Sequence, residues 1–94
     1  MTWSKKTMIE AIQNTDLLPP KQKLTLKAIC EVQHPVYAKE VEQKLNSTTP
    51  QISFCLKALM QRGFITREKE GKYVYKPNYE RIDDIIKRYN DTKK

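Results

Sequence analysis

The 94-residue sequence is poor in the residues that most chemistries need. It holds one His, two Cys, two Gly and one Trp. No apolar run comes near the roughly 18 residues that cross a bilayer, or the shorter apolar stretch of a secretory signal. Each scarcity excludes something. Gly63 and Gly71 stand apart, so there is no glycine-rich loop to bring several backbone N–H groups around a phosphate. His34 precedes Pro35 with no Cys pair or carboxylate cluster at ligand spacing, which leaves a metal centre or a general base without its parts. Asp83 and Asp84 likewise lack the partners that a metal sensor needs. Cys30 and Cys55 fall in segments with helical, apolar patterning, where buried free thiols are expected rather than a disulfide. The expectation is a non-enzymatic protein with no cofactor and no metal, cytoplasmic and without a membrane partner.

Positive charge is what the chain has in surplus. Eighteen Lys and Arg stand against 11 Asp and Glu, a formal net charge of +7. A chain this short buries roughly 60–65% of its unfolded surface, and with 38% hydrophobic residues it fills one core, so residues 1–94 read as a single domain. The surplus is uneven. Residues 1–47 carry seven basic and five acidic side chains, residues 48–94 eleven and six. A polyanionic partner therefore meets mainly the second half.

Local patterning places the elements. Ser4 caps a first helix over about 5–13 with Met8, Ile9 and Ile12 on its apolar side, and Trp3 before the cap is positioned to staple Met8. Pro19-Pro20 opens a second helix, about 20–32, along Leu24, Ala28 and Ile29, which must stop before Pro35. From Tyr37 a short third helix follows Ala38, Val41 and Leu45, and Asn46-Ser47 turns the chain. Thr48 and Gln51 form a capping box, with Pro50 in the first turn, for a fourth helix over about 49–62 that buries Ile52, Leu56, Leu59 and Met60. Gly63 gives it a left-handed exit. The period then drops to two in Phe64–Arg67 and Tyr73–Lys76, with Glu70-Gly71 as a hairpin turn. Ile82, Ile85, Ile86 and Tyr89 mark a closing helix over about 79–90. The fold class is α+β.

Across residues 20–77 the run Ala38-Lys39-Glu40-Val41-Glu42-Gln43-Lys44-Leu45, then Thr48-Thr49-Pro50-Gln51-Ile52-Ser53 with Leu56-Lys57-Ala58-Leu59, Arg62-Gly63-Phe64-Ile65 and Gly71-Lys72-Tyr73-Val74-Tyr75, resembles the winged helix-turn-helix domains of prokaryotic transcription regulators, the ArsR-like and MarR-like group. The resemblance implies a winged helix with extra N- and C-terminal helices. It implies that the fourth helix enters a DNA major groove and that the hairpin, the wing, follows the backbone. Two positions depart from the family pattern: Tyr37 replaces the usual small cap, and Phe54 stands where a polar side chain is common, so it touches either a thymine methyl or a protein.

Candidate roles follow from these placements. Thr49, Gln51, Ser53 and Phe54 face outward near the start of the fourth helix and are the candidate base readers. Gln51 is suited to adenine, unless it serves only to cap Thr48. Tyr37, Lys39, Thr48, Lys57 and Arg62 are candidates for phosphate contacts, and Arg67, Lys69 and Lys72 for the wing. Tyr73 and Tyr75 are expected to alternate between core and surface. The stripe Ile82, Ile85, Ile86 and Tyr89 either packs on the N-terminal helix of its own chain or forms a homodimer interface, as the resemblance implies. The resulting expectation is a sequence-specific, double-stranded DNA-binding transcription regulator, a dimeric repressor. The alternatives are a winged-helix protein-interaction module, with Phe54 and the terminal stripes on a protein partner, and a plasmid or viral replication or partition protein.

Overall fold

Caps and breaks written into the sequence set the helix boundaries. The computed structural model describes residues 4–32 and 34–92, and Trp3, with its expected staple, lies outside them. The Ser4 hydroxyl accepts the Thr7 N–H and starts α1 (Lys5–Asn14). Pro20 occupies the first turn of α2 (Pro20–Glu31), where a missing N–H leaves no hydrogen bond unmade. Asn46, at φ +51°, ends α3 (Ala38–Leu45) in the left-handed region. The reciprocal Thr48–Gln51 box starts α4 (Thr49–Gln61). At the other end of α4, the Phe64 N–H reaches the Leu59 carbonyl and the Gly63 N–H reaches that of Met60, each at 3.0 Å. These paired bonds need a left-handed residue at position 63, and Gly63 supplies it at φ +82°.

The hairpin is longer than the sequence pattern marks. Strands β2 (Ile65–Glu70) and β3 (Lys72–Pro77) pair from Ile65 opposite Pro77 to Glu70 opposite Lys72, so Gly71 alone makes the tip, at φ +75°. A third strand was not expected. Val36 and Tyr37 form β1, which pairs antiparallel with Tyr75 and Val74 and puts β3 in the centre of a β1-β3-β2 sheet. Tyr37 is thus both the end of a strand and the cap of α3, with the Glu40 carboxylate accepting its backbone N–H at 3.0 Å. The closing helix, α5, runs Tyr79–Thr92. The result is an α+β fold of five helices and one antiparallel sheet.

The terminal helices are part of the core, so the α5 stripe takes the intrachain alternative and packs on the N-terminal helix of its own chain. Ile82 and Ile85 are fully buried and Ile86 nearly so, in one cluster with Met8, Ala11 and Ile12 of α1 and Leu26 and Ile29 of α2. Tyr89 packs at the edge of that cluster. Burying an isoleucine side chain favours folding by roughly 1.5–3 kcal/mol. Three of them therefore match a large part of the roughly 5–15 kcal/mol that holds a typical domain together. Arg88 then clamps α5 to the α1–α2 loop through two bonds to Asp16, at 2.8 and 2.9 Å. No helix among the described residues is long and apolar enough to cross a membrane.

Candidate nucleic-acid interface

The first half of α4 faces solvent. Because Ile52, Cys55, Leu56 and Leu59 point into the core, Thr49, Gln51, Ser53, Phe54 and Lys57 are left exposed, and Phe54 is 69% exposed. The candidate base readers are grouped on this surface but are not equally available. The Gln51 amide oxygen accepts the Thr48 N–H at 3.4 Å, and the Thr49 hydroxyl donates to Glu42 Oε1 at 2.8 Å. Ser53 and Phe54 make no such local bond.

Of the candidate phosphate contacts, Tyr37, Lys39 and Lys57 lie on the side of the molecule that faces the hairpin. Thr48 gives its hydroxyl to the cap, accepting the Gln51 N–H at 3.4 Å. Arg62 is elsewhere: past the far end of α4, its guanidinium donates to the Leu17 carbonyl at 3.1 Å, and Arg81 binds the Arg62 carbonyl in turn. Its role is to tie α4 to the α1–α2 loop. The sequence pattern could not show this, because Leu17 is 45 residues away.

The hairpin sorts its charges by face. Side chains alternate along a strand, and the register puts Arg67, Lys69 and Tyr73 on one face and Glu68 and Lys76 on the other. Glu68 and Lys76 pair with each other at 2.9 Å, so Glu68 does not weaken the basic face as its place in the sequence suggests. On the basic face the Arg67 guanidinium lies 4.1 Å from the centre of the Tyr73 ring and the Lys69 ammonium 5.9 Å from it. Cations over a ring face are held there by its quadrupole. The sequence reading left Tyr73 without a role in the site; the signal was its register opposite Lys69.

Two open grooves join these parts. One, of about 430 Å³, runs between α4 and the hairpin, walled by Ser53, Lys57, Gln61, Arg67 and Tyr75. The other, of about 810 Å³, runs between the N-terminus of α3 and the hairpin tip, walled by Tyr37, Lys39, Lys72, Tyr73 and Tyr75. Tyr75, nearly buried, belongs to both.

The ion pairs take the α5 cations out of the +7 surplus. Among the described residues this leaves cations without a carboxylate partner on α1 and α2 (Lys5, Lys6, Lys21, Lys23, Lys27) as well as around the grooves. On α5, Arg81 pairs with Asp84, Lys87 with Asp83 and Arg88 with Asp16. The closing helix therefore offers little free positive charge, although its sequence looks basic. Among the described residues, Lys39, Lys57, Arg67, Lys69 and Lys72 have no carboxylate at ion-pair distance. All but Lys69 line the two grooves, and Lys69 sits over the Tyr73 ring beside them.

No three His, Cys, Asp or Glu side chains among the described residues are grouped to hold a metal, and His34 is exposed, its Nδ1 2.9 Å from the Pro35 carbonyl oxygen. Burial pushes the Cys30 thiol up to about 12, so its thiolate is negligible at neutral pH and the group is unreactive.

The sequence matches no protein-family model and no curated protein. Its fold is similar to the crystal structure of the ST1889 protein from the thermoacidophilic archaeon Sulfolobus tokodaii. The TM-score is 0.59 at 18% sequence identity, over 96% of this chain and 94% of that one. At that identity the likeness concerns the fold alone.

Proposed function

We propose that this protein is a winged-helix, sequence-specific binder of double-stranded DNA. In this reading the start of α4 enters the major groove, with Ser53, Phe54, Thr49 and Gln51 toward the bases, while Lys39, Lys57, Arg67, Lys69 and Lys72 hold the phosphate backbone. The observation that carries the reading is that Lys57 and Arg67 line the groove between α4 and the hairpin, with Lys69 on the face of Arg67 and Lys39 beside the hairpin tip, while Arg81, Lys87 and Arg88 of α5 are paired with carboxylates of the chain. Phosphate contacts fix register and orientation; base edges in the groove supply sequence preference. A role in transcription regulation follows from the resemblance to the ArsR-like and MarR-like regulators. The buried stripe of α5 gives no support to a dimer built on Ile82, Ile85 and Ile86.

Titration of duplex DNA, random and selected, over a salt series tests the reading. With four to five phosphates engaged, log K falls linearly with log salt at a slope of about −4, and a selected site is preferred by ~10³ or more. Absence of binding at low salt overturns it. The exposure of Phe54, 69%, favours a second reading, a protein-interaction module that uses the same helix. That reading expects no salt-dependent duplex binding, so the same titration separates the two.

A further inference from the structure

Phosphate binding accounts for the cations of the interface but not for the ring at its crown. Phe54, at 69%, is the most exposed large hydrophobic side chain among the described residues. An α-helix turns ~100° per residue, so Phe54, two positions past the buried Ile52, points away from the core. A helix that enters a groove with this side pushes that ring furthest in. Within one turn of it on α4 lie the exposed, polar Gln51 and Lys57, and the only apolar neighbours there are the small Pro50 and the half-buried Ala58. The other exposed large hydrophobics, Leu24, Tyr37, Tyr73 and Tyr79, belong to other elements. A protein-docking patch is a contiguous apolar surface with its anchor at the centre. Phe54 instead stands alone among polar groups, which matches the floor of a major groove, where base edges present donors and acceptors and one apolar group, the C5-methyl of thymine.

We propose that Phe54 is a specificity-determining residue that packs on the C5-methyl group of one thymine, so that the protein tells thymine from uracil at that position. The proposal rests on the duplex reading for the placement of α4 and adds the base chemistry that the helix reads. It also fixes where that thymine lies. Gln51 precedes Phe54 by three residues, a rise of ~4.5 Å against ~3.4 Å per base step. The methyl-bearing base is therefore within two base pairs of the one that Gln51 contacts.

A selected duplex in which each thymine is exchanged in turn for deoxyuridine tests it at fixed salt, because the two bases differ only in the methyl group. One thymine is expected to be sensitive, its uracil duplex binding about fourfold more weakly, the scale of one buried methyl group. 5-Bromodeoxyuridine at that position, with a substituent close to methyl in size, is expected to restore the affinity. Phe54→Ala is expected to bind the thymine and uracil duplexes equally, since the ring and the methyl are partners in one contact. Phe54→Leu, which keeps an apolar end, is expected to retain part of the preference. The salt slope counts phosphates and is expected to be the same in both variants as in the wild type. Circular dichroism confirms that each variant is folded.

A selected site with no thymine sensitive to the exchange, or a Phe54→Ala variant that keeps the wild-type preference for thymine over uracil, overturns the proposal while leaving duplex binding standing. Absence of duplex binding at low salt overturns the duplex reading and the proposal with it, and leaves the exposed ring to a protein partner.

Discussion

The Gln51 amide oxygen accepts the Thr48 N–H at 3.4 Å, and the Thr48 hydroxyl accepts the Gln51 N–H at the same distance. The side chain best suited to adenine is therefore also half of a helix cap. Adenine recognition uses both amide atoms, so a base contact by Gln51 shares its oxygen with the bond to Thr48. Gln51→Glu separates the roles, because a carboxylate still accepts the Thr48 N–H but cannot donate to a base. The expected outcome is an unchanged Tm with weaker, less sequence-selective duplex binding. Thr48→Ala is expected to do the opposite, lowering stability by ~1 kcal/mol and Tm by ~4–8 °C with little effect on selectivity. Wild-type selectivity in Gln51→Glu would leave Gln51 as a cap alone.

The two faces of the hairpin make a paired comparison. Arg67 and Lys76 are opposite-facing cations of neighbouring strands, one over Tyr73 and the other bound to Glu68. Arg67→Ala is expected to weaken binding to all duplex sequences alike and to reduce the magnitude of the salt slope by ~1. Lys76→Ala is expected to leave the slope unchanged, since its ammonium is already paired. A salt titration of both variants reads the difference, and equal slopes would remove the basic face of the hairpin from the interface.

Ile85 tests the packing of the terminal helices. Truncation of a fully buried isoleucine costs ~2–5 kcal/mol, so Ile85→Ala is expected to lower the denaturation midpoint sharply without changing the sedimenting mass. A variant of wild-type stability that sediments at half the wild-type mass would place the α5 stripe in a dimer interface after all.

Features that depend on residues close in sequence were legible in advance. The Thr48–Gln51 box, the Ser4 cap and the Gly63 exit each need partners within five residues, and each stands where the pattern put it. Features set by distant partners were not. A helical stripe such as Ile82, Ile85 and Ile86 shows that a face is buried but not against what; its cover proved to be α1 of the same chain. Val36 and Tyr37 become a strand only because Tyr75 and Val74 lie beside them, and two residues have no period to read. The candidate site shows the same division. The outward positions on α4 followed from the inward stripe, whereas the binding of Arg62 to Leu17 and the sorting of Arg67 from Glu68 required the tertiary arrangement and the strand register.

The Asp16–Arg88 clamp gives the fold a pH dependence whose sign follows from its geometry. Arg88 donates through Nε and Nη2 to the two carboxylate oxygens, and these bonds hold the Asp16 carboxyl below its ordinary 3.8. A carboxyl with a depressed pKa in the folded state binds fewer protons there than in the unfolded chain. Its contribution to stability is therefore complete above about pH 4 and is lost as pH falls through the folded-state value. Both groups are exposed, so solvent and salt screen the pair and its contribution is small. The expected outcome is a modest Tm difference between the wild type and Arg88→Gln that is constant from about pH 5 to pH 8, narrows with added salt and closes as the pH drops below about 4. Thermal denaturation over that range measures it. A difference that never narrows as the pH falls would assign the effect to packing of the arginine stem instead.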